Sequence, residues 1–543
     1  MTAPAPSSPS RPDPTCAPMP GAISLGLARI NRLLYLLKSP HCATPVVHIS
    51  GTNGKGSVSA YLSSILSHSH LAVGRFNSPH LVDEWDCVQL HGRTVDPSQF
   101  YAVKREVQRV SQREAVGATS FEVLTATAFS LFARAQPPLD VAVVEVGMGG
   151  AEDATNVVPA DKTLVSVVTA VDLDHQKFLG DSVHDIAQVK AGIAREGGDV
   201  VLSVQAHPQA RAAVLAVAAA RRATVWEAGE ATLVEHDARA STSCLPPPPL
   251  VSIPLAPTAI HPPFSTSTSS PSPAPLSTRL PLPGAYQLSN AATAVLAAQL
   301  LRTLPRAVAM VPSLETHVTD DSMRAGVEAT TWPGRLSWLS LPTPLSAAST
   351  GAVAEPAASS ASTRPLLLDG AHNPSSARLL AAYLSSLPPS FRPTALVFAL
   401  SAPRDPTDVV KPLLDALAAS DEECGEARDG RAPSRRVRVV CTGFSPPAGM
   451  EWVRATPPDE LARAVRAVVD GDDDEGAGSS SASVEVLEAD DVEAALRLLE
   501  EGDVAAVEQG PVVVAGSLYL AADVLRLERR LGAAREGGRE GDS

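Results

Sequence analysis

Between Val46 and Leu66 the chain reads VVHISGTNGKGSVSAYLSSIL. Val46, Val47 and Ile49 make a short apolar run, Gly51 to Ser57 a glycine-rich loop, and Val58, Tyr61, Leu62, Ile65 and Leu66 recur at helical spacing. Strand, glycine-rich loop and helix in that order is the layout that binds phosphate. Glycines let backbone N–H groups converge on an anion, and the helix N-terminus adds partial positive charge. Lys55 can reach terminal phosphates, and Ser57 can face phosphate or magnesium. The spacing departs from G-x-x-x-x-G-K-[ST], because Gly56 stands between lysine and serine. The competing reading is a turn that merely joins strand to helix; the flanking strand and helix favour a nucleotide.

The surrounding pattern is α/β. Apolar strands are expected at Asp140 to Val146, Leu164 to Val171 and Val200 to Val204, with helices from Ser120 to near Ala133, Ile186 to Glu196 and Pro208 to Arg221. Strands that are almost wholly apolar and alternate with helices imply a parallel sheet covered on both faces. Glycine and polar residues cluster after the strand ends, where open α/β sheets bind ligands. After Trp332-Pro333-Gly334-Arg335 a second α/β unit is expected, with strands at Pro365 to Leu368, Ala395 to Leu400, Val437 to Thr442 and Val512 to Ala515. Its helices include Ser375 to Leu387 and Glu460 to Val469.

Low-complexity composition divides these units. The Pro- and Ser-rich residues 1–20 read as a disordered tail, and Ser241 to Pro283 as a disordered insert over about 241–281. Two further inserts fall at about 347–362 and 471–483. The expected domains are therefore 21–327, carrying the phosphate loop, and 328–535, a Rossmann-like unit.

At 543 residues the chain is long enough for such a pair. Its net charge of −15 argues against a general nucleic-acid or membrane-surface binder. The scattered cysteines, with no C-x-x-C, suit a reducing compartment with neither zinc nor disulfides. No apolar run reaches membrane-spanning length. The N-terminal prolines oppose an amphipathic presequence, so a cytoplasmic protein is expected, with mitochondrial import as the alternative.

Few side chains stand out as chemical. Glu145 ends the DVAVVEV strand against Gly147, Gly149 and Gly150. A carboxylate buried there without a partner is costly, so it is either a cation ligand or half of a salt bridge. Asp174 and His175 follow the next strand; Lys190, on a helix, is by pattern alone a surface lysine. Asp369 and His372 lie at a strand end before a helix, where Asp369 and Asn373 serve either catalysis or capping.

Taken together, GTNGKGS, SPHL, EVGMGG with DATN, DLDH, KAGI, PGRL and DGAHNP resemble the folylpolyglutamate synthase/dihydrofolate synthase branch of the ATP-dependent Mur ligase family, over about Gly21 to Leu531. SLGLARINRLLYLL, Asn53 in the loop, SPHLVDEWDCVQLHG and GSLYLAADVLRL resemble the fungal-type dihydrofolate synthases most. The resemblance implies a Mur ligase-like ATPase domain followed by a C-terminal Rossmann-like α/β domain. It implies that Gly51, Thr52, Asn53, Gly54, Lys55, Gly56 and Ser57 bind ATP with Asn290, Arg335 and Asp369. Ser78, Glu145 and His175 would hold Mg2+. Lys190 would be a carbamylated ligand of a second ion, and His372 would lie near the transferred phosphate. Lys55, Lys190 and His372 would thus be the catalytic set, and Phe121, Glu122, Asp153 and Ala154 the pterin-site segments. Ala151 and Glu152 replace the usual arginine and leucine of GGRLDATN.

The implied reaction forms an amide from 7,8-dihydropteroate and L-glutamate with ATP, through an acyl phosphate. The implied protein is a monomer with small-molecule partners only, binding neither nucleic acid nor membrane. The alternatives are a folylpolyglutamate synthase or bifunctional enzyme, a non-catalytic nucleotide-binding regulator, and a motor or transport ATPase.

Overall fold

The computed structural model describes residues 25–235, 245–255, 258–261, 274–343, 345, 363–419, 436–447, 453–471, 483–501 and 510–540. The expected tail at 1–20 and insert at 347–362 lie outside these residues, as does all but the ends of the insert at 471–483.

The strands in chain order are β1 Val46–Ser50, β2 Val73–Phe76, β3 Val88–Leu90, β4 Arg93–Thr94, β5 Val141–Glu145, β6 Thr163–Val168, β7 Asp199–Leu202, β8 Thr224–Glu227, β9 Thr232–Glu235, β10 Leu250–Ile253, β11 Thr258–His261 and β12 Leu276–Arg279. Those that follow are β13 Ser337–Pro342, β14 Thr363–Leu368, β15 Ala395–Phe398, β16 Arg436–Cys441, β17 Ser483–Glu488 and β18 Val512–Ala515.

The first sheet has nine strands in the order β11-β8-β7-β6-β1-β5-β2-β3-β4. From β8 to β2 the pairs are parallel, whereas β11, β3 and β4 join antiparallel at the edges. Alternate residues of the apolar strands serve opposite faces. Val47, Ile49, Val143, Val165 and Val167 pack with the Lys55–His68 and Tyr286–Thr303 helices. Val46, Phe76, Ala142 and Val144 pack beneath the Pro97–Arg113 and Ser120–Arg134 helices. Burial of each such side chain contributes roughly 1.5–3 kcal/mol, which anchors a loop made largely of glycine and polar residues.

The stretch expected to be a disordered insert at about 241–281 is corrected in part. Residues 245–255 and 274–281 are ordered, and β9, β10 and β12 form an antiparallel sheet. Val251, Ile253, Leu255, Leu276, Leu280 and Leu282 are buried against the first domain's core. The alternation of Val251, Ile253 and Leu276, Thr278 that buries one face is only four residues long in each strand, and the flanking Pro and Ser composition hides it.

A second sheet, β13-β14-β18-β15-β16-β17, is parallel except for β13. The Leu518–Glu540 helix follows β18. Among the described residues no helix is long and apolar enough to cross a membrane.

Candidate active site

The phosphate loop leaves the C-terminal end of β1, between the ends of β5 and β6, and is fixed by backbone bonds. Thr52 and Asn53 N–H groups donate to Ala170 O at 2.9 and 3.0 Å. Thr52 Oγ1 donates to Asp172 O and accepts from Asp172 N, at 3.0 and 3.1 Å. Ser50 Oγ donates to Gly149 O at 2.9 Å. Gly54 has φ +89°, and a Cβ there would stand 2.2 Å from Asn290 Oδ1. The loop is therefore pressed against the Tyr286–Thr303 helix, and only glycine fits. Asn290 Nδ2 donates to Gln287 Oε1 at 3.0 Å, and Gln287 Nε2 to Ser57 Oγ at 3.2 Å.

Lys55 Nζ folds back to Thr52 O at 3.2 Å, while Lys190 Nζ donates to Gly51 O at 2.9 Å. Lys190 is thus not a surface residue: it is 3% exposed and lies under the loop. Burial, reinforced by the Lys55 charge, pulls its ammonium down to about 7, opposed by Asp174 and Asp153.

Glu145 is buried at the end of β5. Asn77 Nδ2 donates to its Oε2 at 2.6 Å from the residue before Ser78. Burial raises its carboxyl pKa, opposed by Lys55, Asn77, Arg335 and Arg75. Arg75, on neighbouring β2, lies 5.0 Å from the Trp332 ring centroid, and its Nε is buried without a partner. A Cβ on Gly56 would stand 2.6 Å from Trp332 Cζ2, so the indole covers the start of the phosphate-loop helix. Arg75, Asn77, Gln287 and Trp332 were not among the candidate residues. The one local signal was a charged residue, Arg75, inside the otherwise apolar or small VGRF segment.

His175 stands apart in character. It is half exposed, has φ +51°, and lies 3.5 Å from Asp174. Of the pterin-site candidates, Phe121 covers Gly147, where a Cβ would stand 2.3 Å from its ring, and stacks 6.4 Å from Phe76. Glu122 Oε2 accepts from Thr119 N at 2.7 Å and Arg29 Nε at 3.0 Å, closing a capping box, while buried Oε1 has no partner. Buried Asp153 accepts from Met148 N, Thr155 N and Thr155 Oγ1 at 2.9, 2.9 and 2.5 Å. It shapes the turn in which buried Ala154 begins a short helix.

The second domain contributes the segment after β14. Asp369 Oδ2 accepts from Leu336 N and Oδ1 from Ala371 N, both at 2.8 Å. These bonds close the turn after β14 and tie it to Leu336, whereas Asn373 caps the Pro374–Ser386 helix. His372 Nδ1 donates to Gly370 O at 2.7 Å, which leaves Nε2 to accept a proton. Burial holds the imidazole pKa below its ordinary value, opposed by its bond to Gly370 O. Arg335 acts electrostatically on Glu145 as well as on Asp369 and His372, and Asp174 acts on both Lys190 and His372. The candidate groups of the two domains therefore lie within electrostatic reach of one another.

A phosphate loop between strand ends, facing a second α/β domain that adds charged groups, defines a phosphate-binding protein of two α/β domains. Comparison with known proteins narrows the class. Residues 354–421 and 434–527 match the family model described as dihydrofolate synthetase, C-terminal domain. The chain is similar to the dihydrofolate synthetase of Saccharomyces cerevisiae, 28% identical over 510 residues, covering 93% of this chain and 98% of the yeast protein. It is also similar to the probable dihydrofolate synthetase of Schizosaccharomyces pombe, 30% identical over 507 residues, with 93% and 98% covered. The solved Mycobacterium tuberculosis folylpolyglutamate synthase, complexed with ADP and AMPPCP, matches with a TM-score of 0.63 and 27% identity, over 92% of this chain and 95% of that one. The chain belongs to the dihydrofolate synthetase/folylpolyglutamate synthase family.

Proposed function

We propose that the chain joins L-glutamate to 7,8-dihydropteroate with ATP. The pteroate carboxylate attacks the γ-phosphorus, the bond to the ADP oxygen breaks, and an acyl phosphate forms. The glutamate α-amino nitrogen then attacks the acyl carbon and loses a proton as phosphate leaves, giving 7,8-dihydrofolate. A carboxylate alone would have to expel oxide; phosphorylation supplies a leaving group. The observation that carries this reading is the similarity to two fungal dihydrofolate synthetases across both α/β units.

The two anions that meet in the first step need positive charge and exclusion of water. Lys55 and the helix N-terminus would hold the phosphates, with Asn290, Arg335 and Asp369 completing the ATP site. His372, kept neutral by burial, presents Nε2 as a proton acceptor. Phe121, Glu122, Asp153 and Ala154 would line the pterin side.

The residues present also fit magnesium. Magnesium takes few protein ligands and completes its shell with phosphates and water. Glu145 is a buried carboxylate with one amide donor on Oε2, and Lys55, Arg335 and Arg75 favour its ionised form, the form that ligates a cation. Ser78, Glu145 and His175 would hold Mg2+, which when bound neutralises phosphate charge. Lys190 donates to the Gly51 carbonyl, and its lowered pKa makes the neutral amine available to take up CO2 as a carbamate, a further anionic ligand.

The deciding assay supplies ATP, Mg2+ and glutamate with either dihydropteroate or tetrahydrofolate and follows phosphate release. Release with dihydropteroate is expected; release with tetrahydrofolate alone overturns the assignment. That second reading draws on the likeness to the mycobacterial folylpolyglutamate synthase.

A further inference from the structure

The segment just after Ser78 is gripped by the second domain at two points. A Cβ on Gly334 would stand 3.0 Å from Leu81 Cδ1 and 3.4 Å from Leu518 Cδ1. Leu81, the interdomain linker and the start of the Leu518–Glu540 helix thus share one apolar junction. Further along that helix, Arg526 Nη2 donates to Val82 O at 2.6 Å, and Arg529 Nη1 donates to Asp83 Oδ2 at 3.1 Å. Arg529 Nη2 also lies 3.8 Å from Asp86 Oδ1.

Each partner is also held by contacts within its own domain. Asp86 Oδ2 accepts from Val82 N and Asp83 N at 3.2 and 2.9 Å, so the turn is closed by its own side chain. Behind it Glu84 pairs with Lys104, and the Trp85 ring packs edge-on against Tyr101 at 5.7 Å, on the Pro97–Arg113 helix. On the other side, Arg526 is steadied by Asp523 at 2.6 Å, whose other oxygen accepts from Ser445 N at 2.7 Å. Residues 82–86 therefore form a bracket with one arm on the first domain and the other on the C-terminal helix.

We propose that Arg526 and Arg529 are positioning residues for the reaction. Docking of the C-terminal helix on residues 82–86 sets the place of Ser78, and so couples the candidate cation site to closure of the second domain. Arg529 is 56% exposed, so its pair with Asp83 adds little to the stability of either domain. A contact that spans two domains instead shifts the balance between their open and closed arrangements. The proposal rests on the ligase reading above.

The test is a charge swap in the full-length protein: Asp83→Arg, Arg529→Asp and the double variant. Each single substitution should lower kcat for glutamate-dependent phosphate release roughly three- to tenfold and raise amide exchange across residues 78–86 with ATP and Mg2+ present. The double swap should restore both to within about twofold of the parent. Singles that match the parent in both readouts, or a double no better than the product of the singles, overturn the latch. Should a reversal fail to fold, Arg529→Gln removes the pair without repulsion and should still raise exchange at 78–86; unchanged exchange overturns it as well. The exchange measurement needs no acyl acceptor, so it decides the latch even if the substrate assignment fails.

Discussion

Glu145 and Asp369 are both buried carboxylates at the ends of parallel strands, and burial raises the pKa of both. Their partners differ. Asp369 is answered by two backbone N–H groups, from Leu336 and Ala371, and staples the linker to β14. Glu145 is answered by one amide, Asn77, and by the fields of Lys55, Arg335 and Arg75. A carboxylate held by two backbone donors is fixed in place on folding. One with a single hydrogen-bond donor keeps oxygen lone pairs for a ligand, and the cations around it favour its ionised form. The same residue class at the same topological position is thus bound by backbone donors in one sheet and by side-chain groups in the other.

The largest effect expected of this contrast is on activity. Glu145→Gln keeps the shape and an acceptor for Asn77 but removes the charge. Glutamate-dependent phosphate release should fall about 100-fold or more. Stability should move the opposite way. Because the folded pKa is raised, the folded state binds the proton more tightly than the unfolded chain, and wild-type stability is lost as pH rises through that window. The variant should therefore melt higher than wild type at a pH of about 8, and the gain should vanish near pH 4. Undiminished turnover would remove Glu145 from the mechanism.

Asp369→Asn comes next and should act mainly on stability. An amide offers one oxygen where the carboxylate offered two, so the Leu336 or Ala371 N–H loses its acceptor. The cost should be about 1–3 kcal/mol in chemical denaturation, with turnover reduced far less than in Glu145→Gln. An Asn variant as stable as wild type but equally inactive would reverse the contrast and make Asp369 the ligand-binding carboxylate.

This difference also explains what was legible in the chain itself. The phosphate loop, β5 and the parallel core could be read because their signals are local: apolar runs of strand length and glycines at fixed positions. Glu145 could be picked out for the same reason. Asp369 could not be resolved between capping and catalysis, because its partner Leu336 N lies 33 residues earlier. Lys190 read as a surface lysine because burial under Gly51 depends on a contact 139 residues away. The strands β10 and β12 were lost to a composition dominated by proline and serine, although Val251, Ile253 and Leu276 already carried the apolar face. Arg526 and Arg529 gave no sign, since their partners stand more than 400 residues distant, the Arg526–Val82 separation being 444.

The smallest effect tests whether the cations around Glu145 are individually placed. Arg75 is held by the Trp332 ring at 5.0 Å rather than by an acidic hydrogen-bond partner. The indole itself lies over Gly56, and its buried Nε1 has no acceptor, so its placement rests on packing. Trp332→Leu should therefore loosen Arg75 while leaving Asn77 on Glu145. With Arg75→Met as the second arm, a double-mutant cycle read by denaturation should give a coupling of about 0.5–1 kcal/mol. The corresponding cycle between Trp332 and Asp369 should give none, because the hydrogen bonds of Asp369 come from the backbone N–H groups of Leu336 and Ala371. Additive Trp332 and Arg75 variants would mean that the ring merely fills space. Coupling between Trp332 and Asp369 would mean that the backbone-held carboxylate belongs to the same electrostatic unit as Glu145.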